Sequence, residues 1–435
     1  MKHTLLLQGP IGPFFDQWAR FLKKNSQRQI WEIHFNWGDS CFYHQRNAYH
    51  YRGTFDAWPD FFKKFVANHN ISEVFLCGDC RPYHQSIISL CKKLSLDIWV
   101  FEEGYLRPQY IALEKNGVNA FSDDYKKSLD ALQPSMPLPP LLPYRRHRTP
   151  LSFIWLSIRY YGSIVLEKFT TRISNNAIIQ KVRTLLFRQQ PSLEKEIYHP
   201  QKFYYCHYRS MTPKEIFYFM RSFTRKITYA AREHNIREKL RSLPKRSLFI
   251  VPLQIANDSQ ITGHSNFPNI EAFITEVLQS FARSAPDDTF IVFKHHPLDR
   301  GHCHYGKHID HTVQQLRINP QRVFYVHTTT LSFFWPRALG CITINSTSGF
   351  HALQNGIPTI CLGRCLYHRE SITHTGSLDD FWTHPQKPQR TSVQQLANYW
   401  KSHVLIQASF YHPLRHDLWD CIPPCLRKEL DLHKG

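Results

Sequence analysis

The stretch EVFLCGDCRPYHQSIISLCKKLSLDIWVFEEG, residues 73–104, decides the fold class of this chain. A short apolar run ends in Gly and Asp, a segment with helical spacing follows, and a second apolar run ends in Glu102, Glu103 and Gly104. This alternation of strand and amphipathic helix is typical of a parallel sheet with helices on its faces. In such sheets ligands bind beyond the carboxyl ends of the strands, so the residues that end each strand are the first candidates for function.

The same alternation extends in both directions along the chain. HTLLLQG and IWEIHFN are strand-like on the amino-terminal side, and the pattern returns from residue 246 with SLFIVPLQ, TFIVFKHHP, VFYVHT, CITINS and PTICLG. The stretch between them is rich in proline at residues 133–150 and then strongly basic. The sequence therefore predicts an α/β protein that is GT-B-like, with two Rossmann-type doubly wound domains facing a cleft. We place these at residues 1–132 and 246–435, with a linker and basic helical segment at 133–245.

Composition sets the compartment that we expect. The chain has 435 residues, 42% of them hydrophobic, which argues against a disordered protein. Its 11 cysteines follow no framework spacing, as in proteins of a reducing cytosol. The apolar run near residue 1 is shorter than in a signal peptide, and the most apolar later run is interrupted by Arg159. We expect a cytoplasmic protein with no membrane-spanning segment.

Positive charge is concentrated in the middle of the chain. The net charge is +20, and residues 141–250 hold 22 Lys and Arg against 6 Asp and Glu, a difference of +16. Such a segment predicts an anionic partner, either a membrane surface or nucleic acid, with a solvated basic face as the alternative. We assign membrane contacts to Arg145, Arg146, Arg148, Arg221, Arg225 and Lys226, which stand among Phe, Tyr and Trp residues.

Strand ends in the second half of the chain suggest a phosphate site. Lys294, His295 and His296 follow one strand and can neutralise or protonate a phosphate. NSTSG follows another strand, where hydroxyl groups and the N–H groups of a helix start could bind the same phosphate. A plain helix cap and a structural histidine are the alternatives. The residues that we assign to donor binding are Lys294, His295, Gln254, Asn345, Ser346, Thr347, Ser348 and Gly349, with His296 in a catalytic role.

Strand ends in the first half carry carboxylates and an acceptor side. Glu102 and Glu103 could exchange a proton with an acceptor, and a solvated or salt-bridged pair is the alternative. We assign the acceptor side to Gln8, Gly9, Asp79, Arg81 and Arg107.

Neither a metal nor a cofactor is expected. Cys77 and Cys80 form a C-x-x-C whose Gly and Asp are typical of a turn, and GHCHYGKH lacks further ligands at zinc spacing. No Asp-x-Asp is present to hold Mg²⁺ on a nucleotide diphosphate. Because a single phosphate can be neutralised by His, Lys and helix N–H groups, this points to a CMP-activated sugar as donor.

Several long motifs resemble those of one family. LLLQGPIGPFF, GDCRPYH, FEEGYLRPQYI, NDSQI, KHHPLDRGH and TINSTSG closely resemble capsule polysaccharide biosynthesis proteins of the KpsS type, which are β-Kdo transferases. The resemblance covers both Rossmann-like parts and is weak in the basic segment and the C-terminal tail.

The resemblance implies a reaction and its residues. It implies a retaining transfer of Kdo from CMP-Kdo to a (lyso)phosphatidylglycerol acceptor at the inner membrane, which starts the poly-Kdo linker of a Gram-negative capsule. Asp258 in NDSQI corresponds to the nucleophile and Glu103 to the acid/base. Side chains alternate along a strand, so only one of Glu102 and Glu103 can point into the cleft. We choose Glu103, the residue next to Gly104, although the sequence does not settle which of the two acts. Whether the chemistry is a double displacement or a front-face route stays open.

Two alternatives from other classes remain. A non-catalytic partner in capsule assembly or export would keep the same fold, although Asp258, Glu103 and His296 are all present. A nucleic-acid-binding protein would explain the basic segment but not the carboxylates and His-Pro at strand ends. We therefore expect capsule biosynthesis and export proteins, and not nucleic acid, as partners.

Overall fold

The computed structural model describes residues 1–107, 109–135, 138–142, 150–172, 212–256, 259–411 and 417–434. The chain forms two compact units. The first consists of Met1–Asp123, Pro134–Ser210 and Asn398–Gly435, and the second of Asp124–Gln133 and Met211–Ala397.

Each unit is built on its own β-sheet. The strands are β1 (Lys2–Leu7), β2 (Arg28–His34), β3 (Ala48–His50), β4 (Glu73–Cys77), β5 (Asp97–Glu103), β6 (Ile111–Lys115), β7 (Leu248–Pro252), β8 (Phe290–Lys294), β9 (Val323–Val326), β10 (Ala338–Thr343), β11 (Thr359–Cys361) and β12 (Leu405–Ile406). The first sheet has the order β12-β6-β5-β4-β1-β2-β3 and the second β11-β10-β7-β8-β9. The second sheet is parallel throughout, whereas β6 and β12 are antiparallel to their neighbours. The expected α/β class with two mainly parallel sheets is confirmed.

Both sheets change winding direction beside their first strand. In the first unit β1 lies between β2 and β4, and in the second unit β7 lies between β8 and β10. In doubly wound sheets the loops diverge at this switch point and leave a crevice beyond the strand ends, where ligands bind. The two switch points therefore locate the candidate sites.

Helices cover the sheets and bury their apolar sides. The α-helices of the first unit are Phe14–Asn25, Trp37–Ser40, Trp58–Asn68, Pro82–Lys93, Pro150–Arg172, Leu418–Cys421 and Pro424–Glu429, and Arg390–His403 connects the units. Those of the second unit are Pro213–Ser242, Ser259–His264, Ile270–Ser284, Gly306–Gln315, Leu331–Phe334, Thr347–Gln354 and Leu378–Phe381. Short 3-10 helices span Asn119–Phe121, Asp123–Lys126, Pro297–Asp299, Pro320–Arg322 and Trp335–Arg337.

The domain boundaries differ from those predicted. Residues 398–435 belong to the first unit, because β12 pairs with β6 and Phe410 and Leu426 join the core around Phe14 and Phe101. The segment 133–245 is not a unit of its own: its Pro150–Arg172 helix belongs to the first unit and its Pro213–Ser242 helix to the second. No helix in the described ranges is long and apolar enough to cross a membrane.

Candidate functional site

A reciprocal pair of amides holds the switch point of the second sheet. Gln254 follows β7 and Asn345 follows β10. The Gln254 Nε2 donates to Asn345 Oδ1 at 3.0 Å, and the Asn345 backbone N–H donates to Gln254 Oε1 at 3.3 Å. The two strand ends are thus fixed beside each other, and the helix that follows Asn345 begins at the crevice.

The Thr347–Gln354 helix presents its amino terminus there. Ser346 caps it by accepting from the Ser348 N–H at 3.2 Å, and Tyr367 donates to the Ser346 carbonyl oxygen. A Cβ at Gly349 would lie 2.5 Å from the Tyr367 hydroxyl and 2.9 Å from Thr343 Cγ2. Only glycine therefore fits at this position, which explains the small residue in the NSTSG motif. The half-buried helix start can offer N–H groups to an anion.

His296 stands in a turn with one imidazole nitrogen committed. Its Nδ1 accepts from the Leu298 N–H at 3.2 Å as the cap of the Pro297–Asp299 turn. An accepting Nδ1 in a neutral imidazole leaves the proton on Nε2. The half-buried His296 is therefore held in the tautomer that donates a hydrogen bond from Nε2.

Lys294 and His295, predicted as donor ligands, are buried instead. Lys294 Nζ donates to the carbonyl oxygens of His295 at 2.8 Å and His327 at 2.7 Å, and burial lowers the Lys294 pKa to about 8. His295 is fully buried, with Nδ1 2.8 Å from the Tyr325 hydroxyl, and burial lowers its pKa to about 3. Both side chains are still within the core at this point, and their contacts with His327 and Tyr325 hold the ends of β8 and β9 together.

Asp258 lies outside the described residues, but the loop that leads to it is anchored. The Asp299 carboxylate is fully buried and accepts from the backbone N–H of Ala256. Asp299 stands three residues after His296, so one short turn fixes both the histidine and the approach to Asp258. The sequence analysis did not single out Asp299; an acidic residue two positions after the His-Pro motif was the available signal.

The switch point of the first sheet is held by Arg81. Its guanidinium donates to the Gln8 carbonyl at 2.9 Å and lies 3.3 Å from Cys77 Sγ, so it joins the ends of β1 and β4. Gln8 and Asp79 are also buried, and Asp79 accepts from the Val118 N–H at 2.9 Å. These residues were predicted to contact an acceptor. In the structure they are buried and stabilise the strand ends of the first sheet.

Gly9 and Arg107 complete the predicted acceptor side. A Cβ at Gly9 would lie 2.8 Å from the Phe15 ring, so the chain passes too close to that ring for a larger residue. Arg107 is exposed beyond the end of β5.

Glu102 and Glu103 point to opposite faces of the first sheet, as alternation requires. Glu103 shares a face with Phe101, whereas Glu102 shares one with Val100. Burial raises the pKa of Glu102 to about 7, Asp79 adds to the rise, and Arg107 opposes it. A carboxyl group with a pKa near neutrality suits proton transfer, so the structure favours Glu102 rather than the predicted Glu103 as acid/base.

The glycine of the FEEG motif has a structural cause. Gly104 donates its N–H to the Tyr110 carbonyl at 3.0 Å where β5 turns back into β6. A Cβ at Gly104 would overlap the Tyr110 backbone. The tight turn thus fixes both Glu102 and Glu103 at the end of β5.

The predicted membrane residues divide into three groups. Arg145, Arg146 and Arg148 lie outside the described residues. Arg221 and Arg225 are half-buried and donate to the carbonyl oxygens of Gly301 at 2.6 Å and Arg300 at 2.8 Å, so they anchor their helix rather than point to lipid. Lys226 is exposed.

The histidine-rich loop is accounted for by contacts within the protein. His302 Nε2 lies 2.8 Å from Glu215 Oε2. The His304 ring stacks on that of His327 with the centroids 5.2 Å apart. Cys77 and Cys80 are not in a disulfide: Arg81 contacts the sulfur atom of Cys77, and Asp79 contacts that of Cys80.

Comparison with known proteins agrees with the family indicated by the motifs. The family described as capsule polysaccharide biosynthesis protein matches residues 72–149 and 169–411. The capsule polysaccharide modification protein LipB of Neisseria meningitidis serogroup B is 33% identical over 94% of this chain and 92% of that protein. The capsule polysaccharide export protein KpsS of Escherichia coli is 29% identical over 94% of this chain and 97% of that protein.

Among solved structures, Thermosulfurimonas dismutans KpsC, a beta Kdo 2,7 transferase, aligns with a TM-score of 0.43 and 13% identity, over 98% of this chain and 100% of that one. The family match and the 33% identity to LipB assign this chain to a family. It belongs to the capsule polysaccharide biosynthesis protein family.

Proposed function

We propose that this chain is a retaining glycosyltransferase that moves Kdo from CMP-Kdo to a (lyso)phosphatidylglycerol lipid and so starts the poly-Kdo linker of a Gram-negative capsule. One observation carries the proposal: two hydrogen-bond donors follow strands of the second sheet. They are the Nε2–H of His296, after β8, and the helix start capped by Ser346, after β10. That pair suits one phosphate group. Family membership supports the capsule pathway.

The donor half of the reaction uses the second unit. The bond between the Kdo anomeric carbon and the CMP phosphate oxygen breaks, and the electron pair leaves with the phosphate. The His296 Nε2–H and the N–H groups at the start of the Thr347–Gln354 helix stabilise the added charge. In a double displacement the Asp258 carboxylate, assigned by resemblance, attacks that carbon and forms an ester with the sugar.

The acceptor half needs a base. Glu102 removes the proton from a lipid hydroxyl, and the hydroxyl oxygen attacks the sugar carbon while the bond to Asp258 breaks. Two inversions give net retention. With a pKa of about 7, a large share of Glu102 is ionised at neutral pH and still basic enough to take a proton.

No metal or cofactor enters this scheme, because the leaving group carries one phosphate and is neutralised by protein donors. The lipid acceptor places the enzyme at the cytoplasmic surface of the inner membrane, beside other capsule biosynthesis and export proteins.

The test is direct transfer by the purified protein. Incubation with radiolabelled CMP-Kdo and phosphatidylglycerol or its lyso form should release CMP and yield a labelled lipid. Glu102→Gln should yield no labelled lipid above background and no repeated turnover of CMP-Kdo in a double displacement. Turnover of another nucleotide sugar in place of CMP-Kdo, or no labelled lipid with any of these acceptors, would overturn the proposal.

A further inference from the structure

The Pro213–Ser242 helix is held to its unit by polar contacts. Besides the two arginine contacts with residues 300 and 301, the Glu233 carboxylate accepts from the backbone N–H groups of Thr328 at 3.0 Å and Thr329 at 2.9 Å. The Tyr229 ring stacks on His327 with the centroids 4.0 Å apart. From Pro213 to Glu233 the inner side of this helix is thus mainly polar.

The outer side of the same helix is apolar. Phe217 is exposed (58%) near the start of the helix. Five further exposed side chains, which we call the apolar stripe, are Ile216 (45%), Phe219 (70%), Met220 (62%), Phe223 (64%) and Ile227 (59%). At about 100° per residue they fall within one face about 100° wide. A helix that packs on a protein core normally turns its apolar face inward, so this arrangement is inverted.

Charge beside the apolar stripe selects its occupant. The Pro213–Ser242 helix holds 8 Lys and Arg and 3 Asp and Glu. Two of the acidic side chains are engaged within the unit, since Glu215 contacts His302 and Glu233 caps the loop after β9. Lys226 borders the stripe and is exposed. Exposed cations next to Phe, Met and Ile are the composition of helices that lie in the interface of an anionic membrane.

We propose that the apolar stripe enters the surface of an anionic membrane, with Lys226 at the level of the headgroups. The inference rests on the proposed function for the role of the lipid as acceptor, but the surface itself follows from exposure and charge. The proposal assigns membrane contact to the apolar stripe and Lys226 rather than to Arg221 and Arg225.

The test uses the full chain and two kinds of vesicle, phosphatidylcholine alone and phosphatidylcholine mixed with phosphatidylglycerol. We expect the wild type to co-sediment with the mixed vesicles and to be released by high salt. Phe219→Asp and Phe223→Asp should each weaken binding about tenfold to a hundredfold, because each removes an aromatic ring that the membrane would bury. Lys226→Glu should weaken it several-fold at low salt.

Asn235→Asp is the matched control for the two Phe→Asp variants. Like them it adds one negative charge, but at an exposed position of the same helix outside the apolar stripe. It should bind like the wild type, and circular dichroism should show all four variants folded. Wild-type binding by Phe223→Asp, or no vesicle binding by the wild type, would overturn the inference; the second result would mean that the stripe meets a protein surface instead. Vesicle binding without any Kdo transfer to a soluble acceptor would overturn the proposed function alone.

Discussion

The Asp299 carboxylate accepts a hydrogen bond from the backbone N–H of Ala256. Asp299 ends the turn that His296 caps, and Ala256 is two residues before Asp258. The contact therefore couples the position of His296, the proposed hydrogen-bond donor to the phosphate, to the loop that carries the proposed nucleophile.

We predict that Asp299→Ala lowers kcat for Kdo transfer more than tenfold while CMP-Kdo binding falls less. The half-buried Ala256 N–H would lose its carboxylate partner, which also removes about 1–3 kcal/mol of folding free energy. Asp299→Asn keeps an oxygen acceptor and should restore most of the rate. Steady-state kinetics and thermal melting of both variants check this. Equal kcat losses in the two variants, with equal stability, would contradict a positioning role.

The sequence did not predict β3 and β6. The other strands of the two sheets, apart from β12, could be predicted because apolar runs and helical periods are local. The antiparallel pairing of β12 with β6 could not, since a strand of two residues, Leu405 and Ile406, has no periodic signal of its own. It begins at Leu405, 290 residues after β6 ends at Lys115, and only its packing against the first core reveals the match.

The candidate site was predicted in outline but not in detail. The sequence indicates which residues end a strand, but not whether a side chain there is still within the core. Lys294 and His295 are inside and His296 is at the surface of the turn, although the three are adjacent. The choice between Glu102 and Glu103 depended similarly on local burial, which raises the pKa of Glu102.

The pH dependence of transfer should report Glu102. Its base form is needed, so kcat/KM should fall as pH drops through about 7, the value to which burial raises its pKa. In the folded state this carboxyl holds its proton up to higher pH than in the unfolded chain. Stability should therefore decrease as pH rises between about 4.5 and 7, and Glu102→Gln should be more stable than the wild type at pH 8. pH–rate profiles and melting curves measure both effects.

Arg107→Gln is the control for that assignment. Arg107 opposes the rise in the Glu102 pKa, so its removal should move the acidic limb of the pH–rate profile to higher pH. An acidic limb that stays unchanged in both Arg107→Gln and Glu102→Asp would assign it to another group.

His296 and Lys294 should respond differently to substitution. His296→Ala removes the Nε2–H donor from a half-buried side chain, so we expect CMP-Kdo use to fall by at least about tenfold with a nearly unchanged melting temperature. Lys294→Met leaves the His295 and His327 carbonyl oxygens without their shared donor, and we expect a loss of about 1–3 kcal/mol of stability. Isothermal titration with CMP, together with melting curves, separates the two roles. A Lys294→Met protein that melts like the wild type but no longer binds CMP would restore Lys294 to the donor site.

The start of the Thr347–Gln354 helix offers the sharpest steric test. Gly349→Ala would place a methyl group 2.5 Å from the Tyr367 hydroxyl, which donates to the Ser346 carbonyl oxygen. The helix start must shift to admit it, and overpacking of this kind removes about 1–3 kcal/mol of folding free energy. We expect CMP binding to weaken about tenfold, because the N–H groups that meet the phosphate move with the helix.

Tyr367→Phe provides the matched comparison, since it removes the nearest obstructing atom. Alone it should weaken CMP binding only slightly, because Ser346 keeps its cap bond to the Ser348 N–H. Combined with Gly349→Ala it should recover part of the lost affinity, although Thr343 Cγ2 at 2.9 Å still crowds the new methyl group. The coupling energy from the four proteins, measured by titration with CMP, decides the matter. Additive losses would mean that the methyl group acts through another contact, and wild-type CMP affinity in Gly349→Ala would remove this helix start from the donor site.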